Sequence, residues 1–279
     1  MIKDIKMIAT DLDGTLLQTR GVITEKTRNA IEKAIASGIQ FVPISGRPYN
    51  SLPDALFDIK GIEYCSTSNG AVAQKFETGD RIYSVLLPAR SARAIVRCLG
   101  NYYRDGEIAY EAFIDGVPYA AAEYVMDPSR FGVPDTVIEY IKRERLPVPY
   151  IIDFIYENAE KLDSIAIILK NPALQGMIWR HLEREVPDIY VTAAVDYRVE
   201  MSAKDTGKDI ALKKIADELN IGLENVLVFG DGENDAPMLK CAGWGVAVEN
   251  ATDNCKAAAD EVIGRYDSEA VADYILSVL

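Results

Sequence analysis

The chain has 279 residues, 49% hydrophobic and 26% charged, the composition of a soluble globular protein with room for two cores. Its formal charge of −13, from 43 acidic against 30 basic side chains, opposes binding to nucleic acid or to an anionic membrane surface. No apolar run is long enough to span a bilayer, and four scattered cysteines without a C-x-x-C pair argue against a disulfide framework or zinc site, which fits a cytoplasmic chain. An anionic ligand must therefore be drawn by local features: a metal ion, a lysine, helix N-termini.

In chain order, Ile5–Ala9 reads as a buried strand that runs into the acidic turn T-D-L-D-G-T at residues 10–15. Thr24 suits a helix N-cap, Ile31, Ala34 and Ile35 give a helical stripe, and Gly38 stands where a C-terminal glycine belongs. A second buried strand, Ile39–Ile44, ends in Ser45-Gly46-Arg47, which completes a strand–helix–strand unit. Tyr64–Ser68 predicts a short strand, and residues 71–76 and 81–86 a hairpin. From about residue 84 the texture changes to dense tyrosines, recurrent prolines and mixed strand and helix patterns. This predicts an inserted α+β domain over 84–194. The basic knot of Lys142, Arg143 and Arg145 reads as a solvated helix face, and His181, the sole histidine, as a solvated helical residue. The α/β rhythm resumes near Tyr197, with a helix over 208–219, a buried strand Asn225–Phe229, strands at 244–248 and 261–263, and a final helical stripe from Ala270 to Val278. The expected fold is α/β: a Rossmann-like parallel-sheet core (1–83 and 195–279) carrying an inserted α+β cap (84–194).

The strand before T-D-L-D-G-T and the strand before G-D-G-E-N-D at 230–235 hold the chemistry. In an open parallel sheet, ligands sit beyond the carboxyl ends of the strands, so two such strands in one sheet would bring Asp11, Asp13, Asp231 and Asp235 together. Carboxylates so placed repel one another unless a cation lies between them, and hard oxygen donors select Mg²⁺. Such a site suits phosphate. Taken alone, D-L-D-G-T is as readily a plain turn, Ser45 as readily a cap before Pro48, and Lys208 a solvated lysine beside Lys213 and Lys214.

The ordered set of motifs resembles the haloacid dehalogenase superfamily, in its Cof-type branch of phosphohydrolases. D-x-D-x-T is met at Asp11–Thr15, the strand ending in serine at Val42–Ser45 with Gly46-Arg47 following, the helix-opening lysine at Lys208, and G-D-x-x-N-D at Gly230–Asp235. Ser68-Asn69-Gly70-Ala71 belongs to the same pattern. Asp209 stands where the family usually has glycine, and Lys204 is the fallback for the lysine role.

The resemblance implies a hydrolase acting on small phosphorylated metabolites through an aspartyl-phosphate. Asp11 would be the nucleophile and Asp13 the general acid and base. Asp11, Asp231, Asp235 and the backbone of Asp13 would hold Mg²⁺. The amide of Leu12, with Ser45, Gly46, Lys208 and Asn234, would bind phosphate, and Arg47 would reach substrate. Two rivals use the same residues: a phosphomutase or phosphotransferase that passes the phosphoryl group to another acceptor, and a non-enzymatic sensor of phosphorylated ligands.

Overall fold

The computed structural model describes residues 4–18, 21–193 and 195–279. The chain forms two compact units. The first holds the chain through Arg47 together with Leu52–Ser84 and Gly207–Leu279, and the second holds Pro48–Ser51 and Val85–Thr206.

The first unit is organised by a five-stranded, all-parallel sheet. Its strands lie in the order Glu261–Ile263, Trp244–Val248, Val226–Gly230, Met7–Thr10, Gln40–Pro43. All four residues of Met7–Thr10 and all five of Val226–Gly230 are buried, so both rows of side chains are covered. Continuous apolar runs such as Val-Leu-Val-Phe form strands for this reason, because a sheet covered on both faces rewards no alternation. Helix Glu25–Ala36 packs against the terminal helix Ala270–Val278, and helix Lys208–Glu218 packs against Ala236–Cys241. The expected cap at Thr24 is present: its hydroxyl accepts from the Thr27 amide at 3.1 Å.

Chain order places the site. After Met7–Thr10 the chain adds Gln40–Pro43 on one side, and later adds Val226–Gly230 on the other. The direction of winding thus reverses between Met7–Thr10 and Val226–Gly230. In a doubly wound sheet a crevice opens at that reversal, beyond the strands' carboxyl ends. Thr10 is paired with both Phe229 and Pro43, so the three strands end level with one another.

A three-stranded antiparallel sheet in the same unit comprises Tyr64–Thr67, Val72–Lys75 and Arg81–Ser84, and includes the expected hairpin.

The second unit has a six-stranded sheet in the order Ile189–Thr192, Arg198–Ala203, Ser164–Leu169, Ile108–Ile114, Val117–Ala121, Leu146–Val148. Only its last pair is parallel. Here the structure departs from the expected boundary at 194. Arg198–Ala203 pairs antiparallel with Ser164–Leu169 and Ile189–Thr192, so the second unit keeps the chain through Thr206. Arg145 also departs from expectation. Lys142 and Arg143 are exposed, but Arg145 lies just past the helix end and is buried, with its Nε donating to Glu111 at 2.7 Å. Among the described residues no helix is long and apolar enough to cross a membrane.

Candidate active site

Asp11 follows the first strand directly. Its backbone amide continues the ladder by donating to Phe229 O at 3.0 Å, which fixes it at the reversal point of the sheet. Only 6% of the residue is exposed. The following turn is held by the Leu12 carbonyl, which accepts from the Leu16 and Leu17 amides at 3.1 and 2.9 Å. Gly14 has φ +82°, and a Cβ there would lie 2.5 Å from Asp231 Oδ2. Only glycine lets this turn press against the second acidic loop. Thr15 then donates its hydroxyl to Asp231 Oδ1 at 2.7 Å, and Asn250 Nδ2 donates to the Gly14 carbonyl at 2.8 Å.

Asp231 leaves the end of Val226–Gly230, and Asp235 closes the loop by accepting from the Asp231 and Gly232 amides at 2.9 and 2.8 Å. A Cβ on Gly230 would sit 2.5 Å from the Asp235 Cβ, so the glycine permits this closure. Asp11, Asp231 and Asp235 each present a carboxylate oxygen within 4.8 Å of the others. The buried Lys208 donates from Nζ to Asp11 Oδ1 and to Asp235 Oδ1, at 2.5 Å each. Lys204 is exposed, so the lysine of this cluster is Lys208.

The charge does not balance. Three carboxylates face one ammonium in a volume withdrawn from water. Burial holds the Asp11 carboxyl well above its usual range; Lys208 opposes that shift, and repulsion from Asp235 and Asp231 adds to it. Burial and then repulsion from Asp235 push Asp231 up to about 6. Burial alone would lower Lys208, but Asp11 and Asp235 outweigh it and hold the ammonium charged. This donor set suits a hard divalent cation: oxygen ligands only, clustered, and short of positive charge.

Asp13 is placed differently. Its carboxylate is 54% exposed and is clasped by Arg47, with Nε to Oδ2 and Nη2 to Oδ1 both at 2.6 Å. Ser45 is buried at the end of the strand beyond Gln40–Pro43, and its hydroxyl accepts from the Arg47 amide at 3.1 Å. Asn234 is buried and donates from Nδ2 to Asn69 Oδ1 at 2.8 Å. Asp209, the departure from the family pattern, turns out of the cluster and accepts from Lys213 Nζ at 2.8 Å, one helical turn on.

The structure therefore brings Asp11, Lys208, Asp231 and Asp235 into one cluster, and pairs Asp13 with Arg47. Sequence reasoning reads Gly14 as the residue that lets the turn exit sharply, and gives no role to Thr15, Asn69 or Asn250. Thr15 and Asn69 lie inside quoted motifs, so the signal was present. Asn250 had none, since its partner is a carbonyl 236 positions away.

The family profile of haloacid dehalogenase-like hydrolases matches residues 8–275. The phosphatase YwpJ of Bacillus subtilis is 29% identical, with 99% of this chain and all of that protein covered. The 5-amino-6-(5-phospho-D-ribitylamino)uracil phosphatase YwtE of the same organism is 27% identical over 99% of this chain and 98% of its own length. Among solved structures, a haloacid dehalogenase-like hydrolase from B. subtilis superposes with a TM-score of 0.82 at 26% identity, covering 99% of this chain and all of that one. The chain belongs to the haloacid dehalogenase-like hydrolases, as a phosphohydrolase of the Cof-type branch.

Proposed function

We propose that the chain is a Mg²⁺-dependent phosphatase of small phosphorylated metabolites, sugar phosphates or similar monoesters, working through an aspartyl-phosphate on Asp11. The observation that carries this reading is the buried Asp11 carboxylate at the sheet's reversal point, oriented by Lys208 and surrounded by uncompensated negative charge. A nucleophile fixed by a charge-assisted hydrogen bond suits attack on phosphorus, where positioning and electrostatics supply most of the catalysis.

In the first step an Asp11 oxygen bonds to phosphorus as the ester P–O bond breaks, and Asp13 gives its proton to the departing alkoxide. In the second, Asp13 takes a proton from water, the water oxygen bonds to phosphorus, and Asp11 leaves with the electron pair. Lys208 holds Asp11 in place throughout. The amide of Leu12, with Ser45, Gly46 and Asn234, would hold phosphate oxygens, and Arg47 would exchange Asp13 for the substrate. Mg²⁺, held by Asp11, Asp231, Asp235 and the Asp13 backbone, would neutralise charge on the phosphoryl oxygens. The second unit would select the organic part of the substrate. Three B. subtilis relatives named as 5-amino-6-(5-phospho-D-ribitylamino)uracil phosphatases support a polyhydroxylated phosphomonoester as the substrate class.

The test is a panel of sugar, pentitol and nucleoside monophosphates with Mg²⁺, followed by phosphate release. Free phosphate from one class of monoester is the expected result. Isomer formation without free phosphate would replace the reading with a mutase, and tight binding without turnover with a sensor.

A further inference from the structure

The segment Ser68-Asn69-Gly70 has no part in the chemistry described so far, yet its backbone is unusual. Three consecutive residues have left-handed φ values of 52°, 53° and 85°. Two of them are not glycine, and such residues rarely adopt this conformation singly, let alone in succession. The turn is tied to the strand-end segment below it: the Ser68 amide donates to Arg47 O at 2.9 Å and the Asn69 amide to Ser45 O at 3.1 Å. On its other side, a Cβ on Gly70 would lie 2.0 Å from the Gly207 carbonyl, so the turn abuts the start of the Lys208 helix. The Asn69 carboxamide occupies the space over Gly46, where a Cβ would meet Oδ1 at 2.9 Å. That same Oδ1 accepts from Asn234 Nδ2 at 2.8 Å. One turn therefore touches the Ser45–Gly46, Lys208 and Asn234 segments.

The orientation of Asn234 matters because a carboxamide presents either donors or an acceptor. An anion is attracted by its N–H groups and repelled by its oxygen. Asn69 accepts one N–H of Asn234 in a buried setting, which fixes which end of that amide faces which way. With the rotamer locked, the second N–H remains for another acceptor. Without Asn69 the amide could turn over and present oxygen to a phosphate.

We propose that Asn69 is a positioning residue for phosphate: its carboxamide, seated over Gly46, holds Asn234 as a donor. This rests on the phosphatase reading above.

The test separates the side chain from the backbone. Asn69→Gly removes the carboxamide while favouring the left-handed conformation, so a merely structural role predicts little change. We expect Asn69→Gly to raise the KM for p-nitrophenyl phosphate about tenfold with kcat nearly unchanged, the scale of one hydrogen bond to a charged group. Inorganic phosphate with Mg²⁺ should protect this variant from thermal unfolding only at correspondingly higher concentration. Adding Asn69→Gly to Asn234→Ala should produce no further loss. Gly46→Ala is the second variant, because its Cβ would displace the Asn69 carboxamide with residue 69 intact; the same weakening is expected. A parent protein that neither hydrolyses the ester nor is protected by phosphate overturns both readings. A parent that does both, with Asn69→Gly indistinguishable from it, overturns the role of Asn69 alone. So does a loss in Asn69→Gly that simply adds to that of Asn234→Ala.

Discussion

Among the described residues each unit holds a buried ionic cluster, and the two differ in charge balance. In the first, Asp11, Asp231 and Asp235 share a single Lys208, and the carboxyl groups of Asp11 and Asp231 are held above their ordinary range. In the second, Glu111 and Glu200 face Arg145 and Arg198. Arg145 Nε lies 2.7 Å from Glu111, and Arg198 lies 3.0 Å from Glu111 and 2.8 Å from Glu200. Burial of Glu111 favours its neutral form, but the two guanidinium groups outweigh that and hold its carboxyl below the usual range. The register explains how so many large side chains fit: Ala166 lies between Glu111 and Glu200 across the sheet, and Ala120 flanks Glu111 on its other side. The second cluster matches its carboxylates with guanidinium groups, whereas the first holds more carboxylates than cations, the arrangement that suits a hard divalent cation.

The largest effect that sharpens this contrast is on turnover. Asp11→Asn should lower kcat by at least about a thousandfold, as loss of a nucleophile does, while the metal-free protein unfolds no more easily because an uncompensated charge is gone. An Asp11→Asn variant that, under chelation, is markedly less stable than its chelated parent would break the comparison. In the second unit the sign reverses. Glu111→Gln should cost about 3–5 kcal/mol, since it leaves the buried Arg145 without its carboxylate and the half-buried Arg198 with Glu200 alone. Denaturant titration of the purified variant reads that loss directly.

A smaller effect comes from metal and pH together. Mg²⁺ at about a hundredfold excess over its Kd should add about 2.7 kcal/mol to the parent and little to Asp231→Asn. With a chelator present, Asp231, raised in the folded state to about 6 from 3.8, contributes stability at low pH that is lost as pH rises through about 6. Glu111 is lowered from 4.5, so its contribution is present above 4.5 and disappears as pH falls through its folded value. The thermal midpoint of the chelated protein should therefore climb as pH drops from about 7.5 to about 5, then fall in stronger acid. A monotonic decline from neutrality would contradict the charge excess assigned to the first cluster. Smallest of all, Asp209→Ala should change KM by less than about twofold, because that carboxylate is engaged by Lys213 in a partly exposed pair one helical turn apart.

Much of this was legible in the residues, for physical reasons that can be named. Buried parallel strands write themselves as unbroken apolar runs, and Met7–Thr10 and Val226–Gly230 do so. A turn that ends such a run in Asp, Gly or Ser advertises its place at the strand tip, and Asp11, Ser45 and Asp231 are visible for that reason. The expected boundary puts Arg198–Ala203 on the wrong side because its alternating Arg-Val-Glu-Met-Ser-Ala pattern states that one face is buried, not which sheet it joins. Arg145 reads as solvated because its partner Glu111 lies 34 positions away on a strand, and nothing local signals that pairing. The clasp of Arg47 on Asp13 likewise depends on two loops meeting.

The strand Met7–Thr10 sits between a neighbour made early and one made late. Its lysine partner comes 197 positions after Asp11, and Thr15 waits 216 positions for the carboxylate it holds. During synthesis Asp11 is thus made long before the lysine and the second acidic loop that it meets in the fold. A nascent chain that stops before Gly207 has the strand Met7–Thr10 with one edge open and lacks Lys208, Asp231 and Asp235. Such distant closure is also the kind that folds slowly.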